Sequence, residues 1–401
     1  MRRRHFLGHS LLSPVSLLAA CGGSVGHRPE GEALAAGPVT LPMQRDLTHV
    51  SVDAQVNGRP LRLLLDTGAD QHVLTPRTAE ALGLVLSEER VPSSGAQASD
   101  QRVPWTWVDE IVLGGGARVR QALAFVVPLP AEFAYDGILG APLWRAFTTR
   151  LDYARSELTL NLPGRMALPP PGAERLPLQV LPGGKMLVQA CAAGHSGWFS
   201  LDTGDSGAVT LFRPTVERLG LRTALQPAVR MPTGVSVGGI TWADVARLPQ
   251  FGIGPWQLAQ VPVHLALATD GLFGTDAWMG NLGGELWRRF ALTIDVAGGA
   301  LYLEPQAALA EPFAGPRSGL LARWNGAHFE VLAVLARSPA EQAGLQPGDA
   351  LLAVQGRRLT AGDAGWLRAQ LAGAPGTALV LQLYSAHGAE RQTTLVLREL
   401  V

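Results

Sequence analysis

The chain has 401 residues and a formal net charge of zero, a length that predicts two or three domains. Hydrophobic residues make up 47% and charged residues only 16%, which excludes an intrinsically disordered chain. No basic face is evident, so nucleic acid is excluded as an expected partner. We interpret the single lysine, Lys185, as a reflection of genome composition.

Residues 1–21 have the layout of an export signal. A positive start, Arg2–Arg4, precedes a modestly apolar stretch from Phe6 to Ala20, which is too short to span a membrane permanently. The stretch ends in Leu-Ala-Ala-Cys, which resembles a bacterial lipobox and implies lipidation of Cys21. The alternative is a plain secretory signal with an incidental cysteine. Residues 22–40 are rich in Gly, Pro and Ala, which predicts a flexible tether.

The run from Arg3 to Leu7 also resembles a twin-arginine export signal. Together these features predict a protein of the bacterial cell envelope. It would be exported, anchored to a membrane by its N-terminal lipid, and would face the periplasm.

An internal repeat organises the middle of the chain, with residues 50–162 and 186–303 as its two copies. Each copy begins with an apolar hairpin pattern whose second strand runs into Asp-Thr-Gly, at Asp66–Gly68 and at Asp202–Gly204. A single such triplet usually marks a turn. Two triplets at matching places in a repeat point instead to a paired site.

Each copy also carries a later glycine motif, Gly137–Gly140 in the first and Gly280–Gly283 in the second. The same interval of twelve positions separates the last glycine from Asp152 and from Asp295, which we interpret as turn residues. A competing motif, Gly271–Gly274, breaks this register and is rejected. The matched spacing predicts two lobes of the same fold.

This arrangement resembles the retropepsin-like aspartic proteases, from about residue 45 to about residue 305. The resemblance implies a mainly β fold, with two pseudo-symmetric β-barrel lobes forming one bilobal acid-protease unit. We place the lobes at 41–165 and 173–305. It also implies that Asp66 and Asp202 are the catalytic pair. Because both half-sites lie in one chain, an oligomer is not required.

The resemblance also implies supporting roles around this pair. In the family the threonine hydroxyls bind across the two loops, the glycine after each threonine allows close approach, and the later glycine motif packs against the loop. The positions that match these roles are Thr67, Gly68, Ile138, Leu139 and Gly140 in the first copy and Thr203, Gly204, Leu282 and Gly283 in the second. Flaps are expected within Pro92–Trp107 and Met231–Trp242, both rich in Gly and Ser.

The chemistry explains why two carboxyl groups are needed for peptide hydrolysis. Two carboxyls about 3 Å apart cannot both ionise cheaply, so they share one proton. The ionised member activates a water, the protonated member donates to the carbonyl oxygen, and the roles then exchange. The expected partner is a peptide or protein substrate, and this mechanism requires no cofactor. The histidines show no metal-ligand spacing, so no metal is expected.

Two positions in the second copy depart from the family pattern. Asp205 follows the second triplet, where the first copy has Ala69, and Asn281 stands where an apolar residue is usual. A third carboxylate could disturb the pKa values of the pair, or it could turn outward. These departures leave open an alternative function, a catalytically inactive protease-like scaffold that binds peptides in the cell envelope.

Residues 316–401 predict a small α+β domain of a different kind. The run Ser338–Leu345 predicts a short capped helix closed by glycine. With the following Gly-Asp turn, this run resembles a bacterial PDZ domain, which binds an extended peptide as an added edge strand. The resemblance implies that Gly319, Leu320 and Leu321 form the loop that holds the peptide carboxylate. The alternative is a module that packs on the lobes and binds no peptide.

Overall fold

The computed structural model describes residues 32–46, 48–99, 101–129 and 133–401. The predicted export signal, with Cys21, and the first part of the predicted tether lie outside these residues. In these described ranges, no helix is both long enough and apolar enough to cross a membrane.

The first lobe consists of short strands and two short helices. In its strands, apolar and polar residues alternate, as expected where one sheet face packs on a core. The elements are β1 Ala33–Leu34, β2 Val39–Pro42, β3 Gln44–Asp46, β4 His49–Val56, β5 Arg59–Leu65, β6 His72–Leu74, α1 Pro76–Ala81, β7 Arg90–Pro92, β8 Arg102–Leu113, β9 Ala117–Val126, β10 Gly137–Leu139, α2 Ala141–Ala146, β11 Thr148–Asp152 and β12 Glu157–Asn161.

The second lobe repeats this construction and adds a longer hairpin. Its elements are β13 Glu174–Val180, β14 Met186–Ala192, β15 His195–Leu201, β16 Val209–Leu211, α3 Arg213–Arg218, α4 Leu221–Ala224, β17 Val229–Ser236, β18 Gly239–Ile253, β19 Trp256–Ala266, β20 Gly280–Leu282, α5 Gly284–Trp287, β21 Phe290–Asp295 and β22 Ala300–Pro305, with short 3₁₀ turns at Leu272–Gly274 and Ala307–Ala310.

The hairpin that leads to each triplet closes with a two-residue turn. Asn57 and Gly58 both have positive φ, and so do Ala193 and Gly194 at the equivalent turn of the second lobe. Such turns match the right-handed twist of the flanking strands. Because loop length sets the register, each aspartate is delivered at the same distance from its turn.

The pairing order shows that the repeat is structural. The first lobe pairs its strands in the order β9-β6-β10-β5-β4, and the second in the order β19-β16-β20-β15-β14. In both lobes the strand before the aspartate pairs in parallel with the strand of the glycine motif. The predicted fold class, two retropepsin-like lobes, is confirmed by this architecture.

A six-stranded antiparallel sheet joins the two lobes. Its strands follow the order β2-β12-β11-β21-β22-β13, so that each lobe contributes three neighbouring strands. At the junction Leu151 lies opposite Leu292, and both side chains are fully buried. The hydrophobic core therefore runs without interruption from one lobe to the other.

The predicted tether requires a correction in its described part. Residues 33–34 pair with β9, and Val39 begins a strand that pairs with β12. Val39 packs against the core, and Leu41 two positions later is buried. These apolar side chains stabilise the segment in the sheets, which its Gly- and Pro-rich composition did not indicate.

The C-terminal module has its own hydrophobic core. Its elements are β23 Leu320–Trp324, β24 Phe329–Val334, α6 Pro339–Gln342, β25 Ala350–Val354, β26 Arg357–Arg358, α7 Ala364–Leu371, β27 Ala378–Tyr384 and β28 Glu390–Val396, with a 3₁₀ turn at Ala361–Asp363. Ser338 caps α6, since its hydroxyl accepts a hydrogen bond from Glu341 N. Arg247 of β18 forms an ion pair with Glu399, which attaches the module to the second lobe.

Candidate active site

The two Asp-Thr-Gly loops begin where β5 and β15 end. The backbone N of Asp66 donates to Leu139 O at 3.1 Å, and that of Asp202 donates to Leu282 O at 3.0 Å. The glycine-motif strands β10 and β20 therefore fix the backbone position of each aspartate in its lobe. This contact assigns Gly280–Gly283 to the role that Gly137–Gly140 has in the first lobe.

The structure brings the two aspartates together across the lobe interface, where the carboxyl group of each lies against the glycine of the opposite triplet. This approach requires both glycines. A Cβ added to Gly68 would lie 2.4 Å from Asp202 Cγ, and one added to Gly204 would lie 2.4 Å from Asp66 Cγ. Any side chain at either glycine would push the carboxyls apart.

The threonines of the triplets bind across the interface. Thr203 Oγ1 donates to Leu65 O at 2.7 Å and accepts from Thr67 N at 3.1 Å. In the reverse direction, Thr67 Oγ1 donates to Leu201 O at 2.9 Å and accepts from Thr203 N at 2.9 Å. Both side chains are buried. Four hydrogen bonds therefore hold the two loops in one arrangement.

The last glycine of each later motif packs directly under its loop. A Cβ on Gly140 would lie 2.2 Å from Gln71 O, and one on Gly283 would lie 2.3 Å from Gly207 O. The next residue in each lobe then donates its backbone N–H to the residue after the triplet, Ala69 or Asp205. These contacts explain why each motif ends in glycine.

Backbone donors orient each carboxyl group in the same way. Gly68 N and Ala69 N donate to Asp66 Oδ1 at 2.7 and 3.1 Å. Gly204 N and Asp205 N donate to Asp202 Oδ1 at 3.0 and 3.1 Å. One carboxyl oxygen of each aspartate therefore accepts two backbone hydrogen bonds from its own loop.

Burial, together with the negative charge of Asp202, raises the pKa of Asp66 to about 8. Burial also raises the pKa of Asp202, and the neighbouring charge of Asp205 adds to the effect. The positive charge of Lys185 lowers the pKa of both aspartates and offsets part of this increase. The pair therefore still holds at least one proton at neutral pH.

Lys185 was not recognised from the sequence as a site residue. Its Nζ donates to Gly68 O and lies 3.1 Å from Asp70 Oδ1, so the second lobe contacts the loop of the first. His49 makes the reciprocal contact, since its Nε2 donates to Gly204 O at 2.9 Å. Each residue stands 17 positions before the aspartate of its own copy. That common spacing is the sequence signal by which Lys185 and His49 could have been recognised as equivalent residues.

Asp205, the first departure from the family pattern, does not turn outward. Its Oδ1 accepts from Gly207 N at 2.7 Å, and its Oδ2 accepts from Thr210 Oγ1 at 3.2 Å. The same Oδ2 accepts from Asn281 Nδ2 at 3.2 Å. The two departures are therefore in direct contact, and Asp205 is held by donors on three sides.

The two predicted flap segments contact one another. Gln97 Nε2 donates to Ile240 O at 2.8 Å, which joins the first segment to the β17–β18 hairpin. The first segment also reaches the second lobe through its backbone, because Leu272 N donates to Gly95 O at 3.1 Å and Phe273 N donates to Ala96 O at 2.9 Å. The first segment is therefore held against the second lobe by side-chain and backbone hydrogen bonds.

The C-terminal loop lies at the start of β23, the edge strand of its sheet. Gly319 has a φ of +69°, and a Cβ there would lie 2.2 Å from Ser338 Cβ. Helix α7 packs beside β23. Within the loop, Leu320 N already donates to Ser318 Oγ at 3.2 Å. A peptide carboxylate would therefore compete with Ser318 for that amide.

Within the described part of the chain, no group of three or more His, Cys, Asp or Glu side chains is arranged to hold a metal ion.

We expect the cross-lobe hydrogen bonds of the threonines to stabilise the two lobes as one folded unit. Thr203→Val keeps the shape but leaves Leu65 O and Thr67 N without their partner, so we expect a loss of about 1–3 kcal/mol in the free energy of unfolding. Thr149→Val is the matched control, because Thr149 is fully buried and its hydroxyl has no hydrogen-bond partner among the described residues. Urea unfolding measures both. An equal loss in the two variants would contradict the role of the cross-lobe bonds.

Comparisons with known proteins match two parts of the chain. Residues 52–143 match the family model "Aspartyl protease", and residues 330–384 match the model "PDZ domain". No curated protein matches the sequence. Similar solved structures include a retropepsin-like aspartic protease from Rickettsia conorii, with 22% identity and a TM-score of 0.27, covering 33% of this chain and 96% of that one. Basic 7S globulin from soybean has 14% identity and a TM-score of 0.41, covering 68% of this chain and 96% of that one.

The matched ranges fall on the first lobe and on the C-terminal module. Residues 52–143 contain Asp66 and the first glycine motif, and residues 330–384 contain α6 and α7. The family matches therefore indicate an aspartyl protease domain over the first lobe and a PDZ domain in the C-terminal module.

Proposed function

We propose that the chain is an aspartic endopeptidase that hydrolyses peptide bonds through the Asp66 and Asp202 pair. The observation that carries this proposal is the close approach of the two buried carboxyl groups, at a joint where both lobes supply equivalent loops. Peptide hydrolysis requires a group that activates a water and a group that protonates the leaving nitrogen, and two carboxyls that share one proton supply both.

The reaction follows from the shared proton. The ionised carboxylate removes a proton from a water, whose oxygen attacks the peptide carbonyl carbon. The protonated carboxyl donates its proton to the carbonyl oxygen, which gives a neutral tetrahedral diol. Proton transfer to the nitrogen and collapse of the diol then break the C–N bond. The pair returns to holding a single proton, so the two carboxyls act as one unit.

In this proposal an extended substrate would lie between the pair and the two flap segments. Closure of such segments excludes water and commits the substrate. The contacts of Gln97 with the second lobe would have to open for a chain to enter. Asp205 and Asn281 are both hydrogen-bonded in place, which supports an ordered half-site in the second lobe.

The carboxyl pair predicts the loss of peptide cleavage in two variants. Asp66→Asn and Asp202→Asn each remove the shared proton site, so we expect cleavage of a peptide library to fall by about 10²–10⁴-fold or more. Asp109→Asn makes the same chemical change at an exposed site of the first lobe and is the control. Because the pKa of Asp66 is raised to about 8, the pair loses its last proton above that pH and wild-type activity should decline there. Unchanged cleavage in both Asn variants would exclude the pair.

We further propose that the PDZ domain recruits or positions substrate by binding peptide C-termini between β23 and α7. The free edge of β23 offers backbone groups to an added strand, and the loop at Gly319–Leu321 would face the peptide carboxylate. Binding is tested on the full chain carrying Asp66→Asn, which prevents cleavage. Peptides with a free C-terminus should bind at least about tenfold more tightly than their C-terminal amides. Equal affinity would exclude recognition of the carboxylate by the loop at Gly319–Leu321. If neither peptide binds, the result favours a module that packs on the lobes and binds no peptide.

We also propose export to the bacterial cell envelope and lipid anchoring through Cys21. The supporting observation is the Leu-Ala-Ala-Cys ending of the N-terminal signal. Cys21→Ser should move the protein from the membrane fraction to the soluble fraction of the cell envelope. Cys191→Ser, the only other cysteine change that the chain offers, should leave the protein in the membrane fraction. Membrane retention of the Cys21 variant would contradict the anchor.

A further inference from the structure

Asn281 breaks the symmetry of the site at the position closest to the pair. Its counterpart in the first lobe is Ile138, which has no hydrogen-bond donor on its side chain. Asn281 is buried, and its Nδ2 donates to Asp202 Oδ2 at 2.6 Å. Asp202 therefore has a side-chain donor that Asp66 lacks.

A chain of buried hydrogen bonds fixes the orientation of this amide. Trp278 Nε1 can only donate, and it donates to Ser200 Oγ at 3.1 Å. The Ser200 hydroxyl is then free to donate to Asn281 Oδ1, since its other acceptor, Gly280 O, is farther away at 3.3 Å. With its oxygen facing Ser200, Asn281 must turn its NH₂ group toward the acids.

The NH₂ group has two hydrogens and meets two carboxylates. One goes to Asp202 Oδ2 at 2.6 Å and the other to Asp205 Oδ2 at 3.2 Å. A flipped amide would place its oxygen against both carboxylates, which is repulsive unless they are protonated. The observed orientation therefore requires Asp202 Oδ2 to accept, and this favours the ionised form of Asp202.

Counting donors around each aspartate separates their protonation states. On Asp202, Oδ1 accepts two backbone N–H groups and Oδ2 accepts from Asn281. On Asp66, the donors found among the described residues all reach Oδ1, which leaves Oδ2 as the place for a proton. Any hydrogen bond between the carboxyls then runs from Asp66 as donor to Asp202 as acceptor.

We propose that Asn281 is a positioning residue that holds Asp202 as the ionised member of the pair, so that Asp66 carries the shared proton. This inference rests on the proposed peptidase function and deepens it by assigning the roles. Asp202 then takes the proton from the water, and Asp66 donates its proton to the carbonyl oxygen of the substrate. Ser200 and Trp278 act through Asn281 and do not touch the reacting atoms.

The other charged groups around the pair do not reproduce this asymmetry. Lys185 lowers the pKa of both aspartates and pairs with Asp70. Asp205 opposes ionisation of Asp202, and Asn281 offsets that repulsion because it binds both carboxylates. His49 donates to the backbone of the second loop.

His264 is a further titratable group in this region. Burial lowers its pKa, so it stays neutral near pH 7, and it lies beside Thr210 and Asp205. The donor from Asn281 therefore remains the feature that distinguishes Asp202 from Asp66.

The test is a titration of the two carboxyl groups in the intact protein. Aspartate labelled with ¹³C at the carboxyl carbon gives one NMR resonance per side chain, and the Asn variants of Asp66 and Asp202 assign the two of interest. We expect the Asp202 resonance to stay at its ionised position through neutral pH while Asp66 titrates near pH 8. An ionised Asp66 beside a protonated Asp202 at neutral pH would overturn the proposal.

Asn281→Ile gives the second lobe the residue of the first and removes the donor. The titration of Asp202, and with it the acidic limb of the pH–rate profile, should move to higher pH by about one unit. If the larger side chain of Asn281→Ile prevents folding, Asn281→Ala serves as the second variant. It removes the donor without adding volume and should give the same shift. Ile253→Val removes one buried methyl group from the core of the second lobe without changing any donor at the pair, so it should leave the acidic limb in place.

The outcomes separate this proposal from the proposed function. If the wild-type chain cleaves no peptide, the peptidase proposal fails, and the NMR titration still decides which aspartate is ionised. If cleavage occurs and both Asn281 variants keep the wild-type titration of Asp202, the role of Asn281 is excluded and the peptidase proposal stands.

Discussion

The structure depends on one constraint, the close approach of two carboxyl groups from different lobes. Two buried acids repel each other and lose hydration, so the chain must hold them together against a free-energy cost. It does so with elements that leave little freedom: glycines that admit no Cβ, buried threonine hydroxyls that cross the interface, and a sheet that continues from lobe to lobe. The surrounding fold can be understood as the means of fixing this one contact.

The two lobes share a scaffold but differ where they touch the pair. Lys185 stands in the place of His49, and Asn281 stands in the place of Ile138. A site built from two identical chains cannot differ in this way, because each substitution would appear on both sides. Fusion of the halves into one chain removes that restriction. The residues that first suggested a degenerate half-site are here hydrogen-bonded parts of an ordered network.

Local features were predictable from the sequence because they depend on neighbouring residues. The Asn57-Gly58 turn, the strands that end at Asp66 and Asp202, and the capped helix after Ser338 all follow from short-range backbone preferences. The six-stranded sheet depends on pairing between segments far apart in the chain, so no local pattern showed it. The contact of Lys185 with the opposite loop was missed for the same reason, although its spacing from the triplet was visible in the repeat.

The position of Lys185 has a consequence for the chemistry of the chain with external reagents. It is the only lysine in 401 residues, and its side chain is only 12% exposed at the joint between the lobes. Acylating reagents that attack side-chain amines therefore have a single target, and reaching it requires the joint to loosen. The rate of labelling would report how often the two halves of the cleft separate, with no probe added elsewhere.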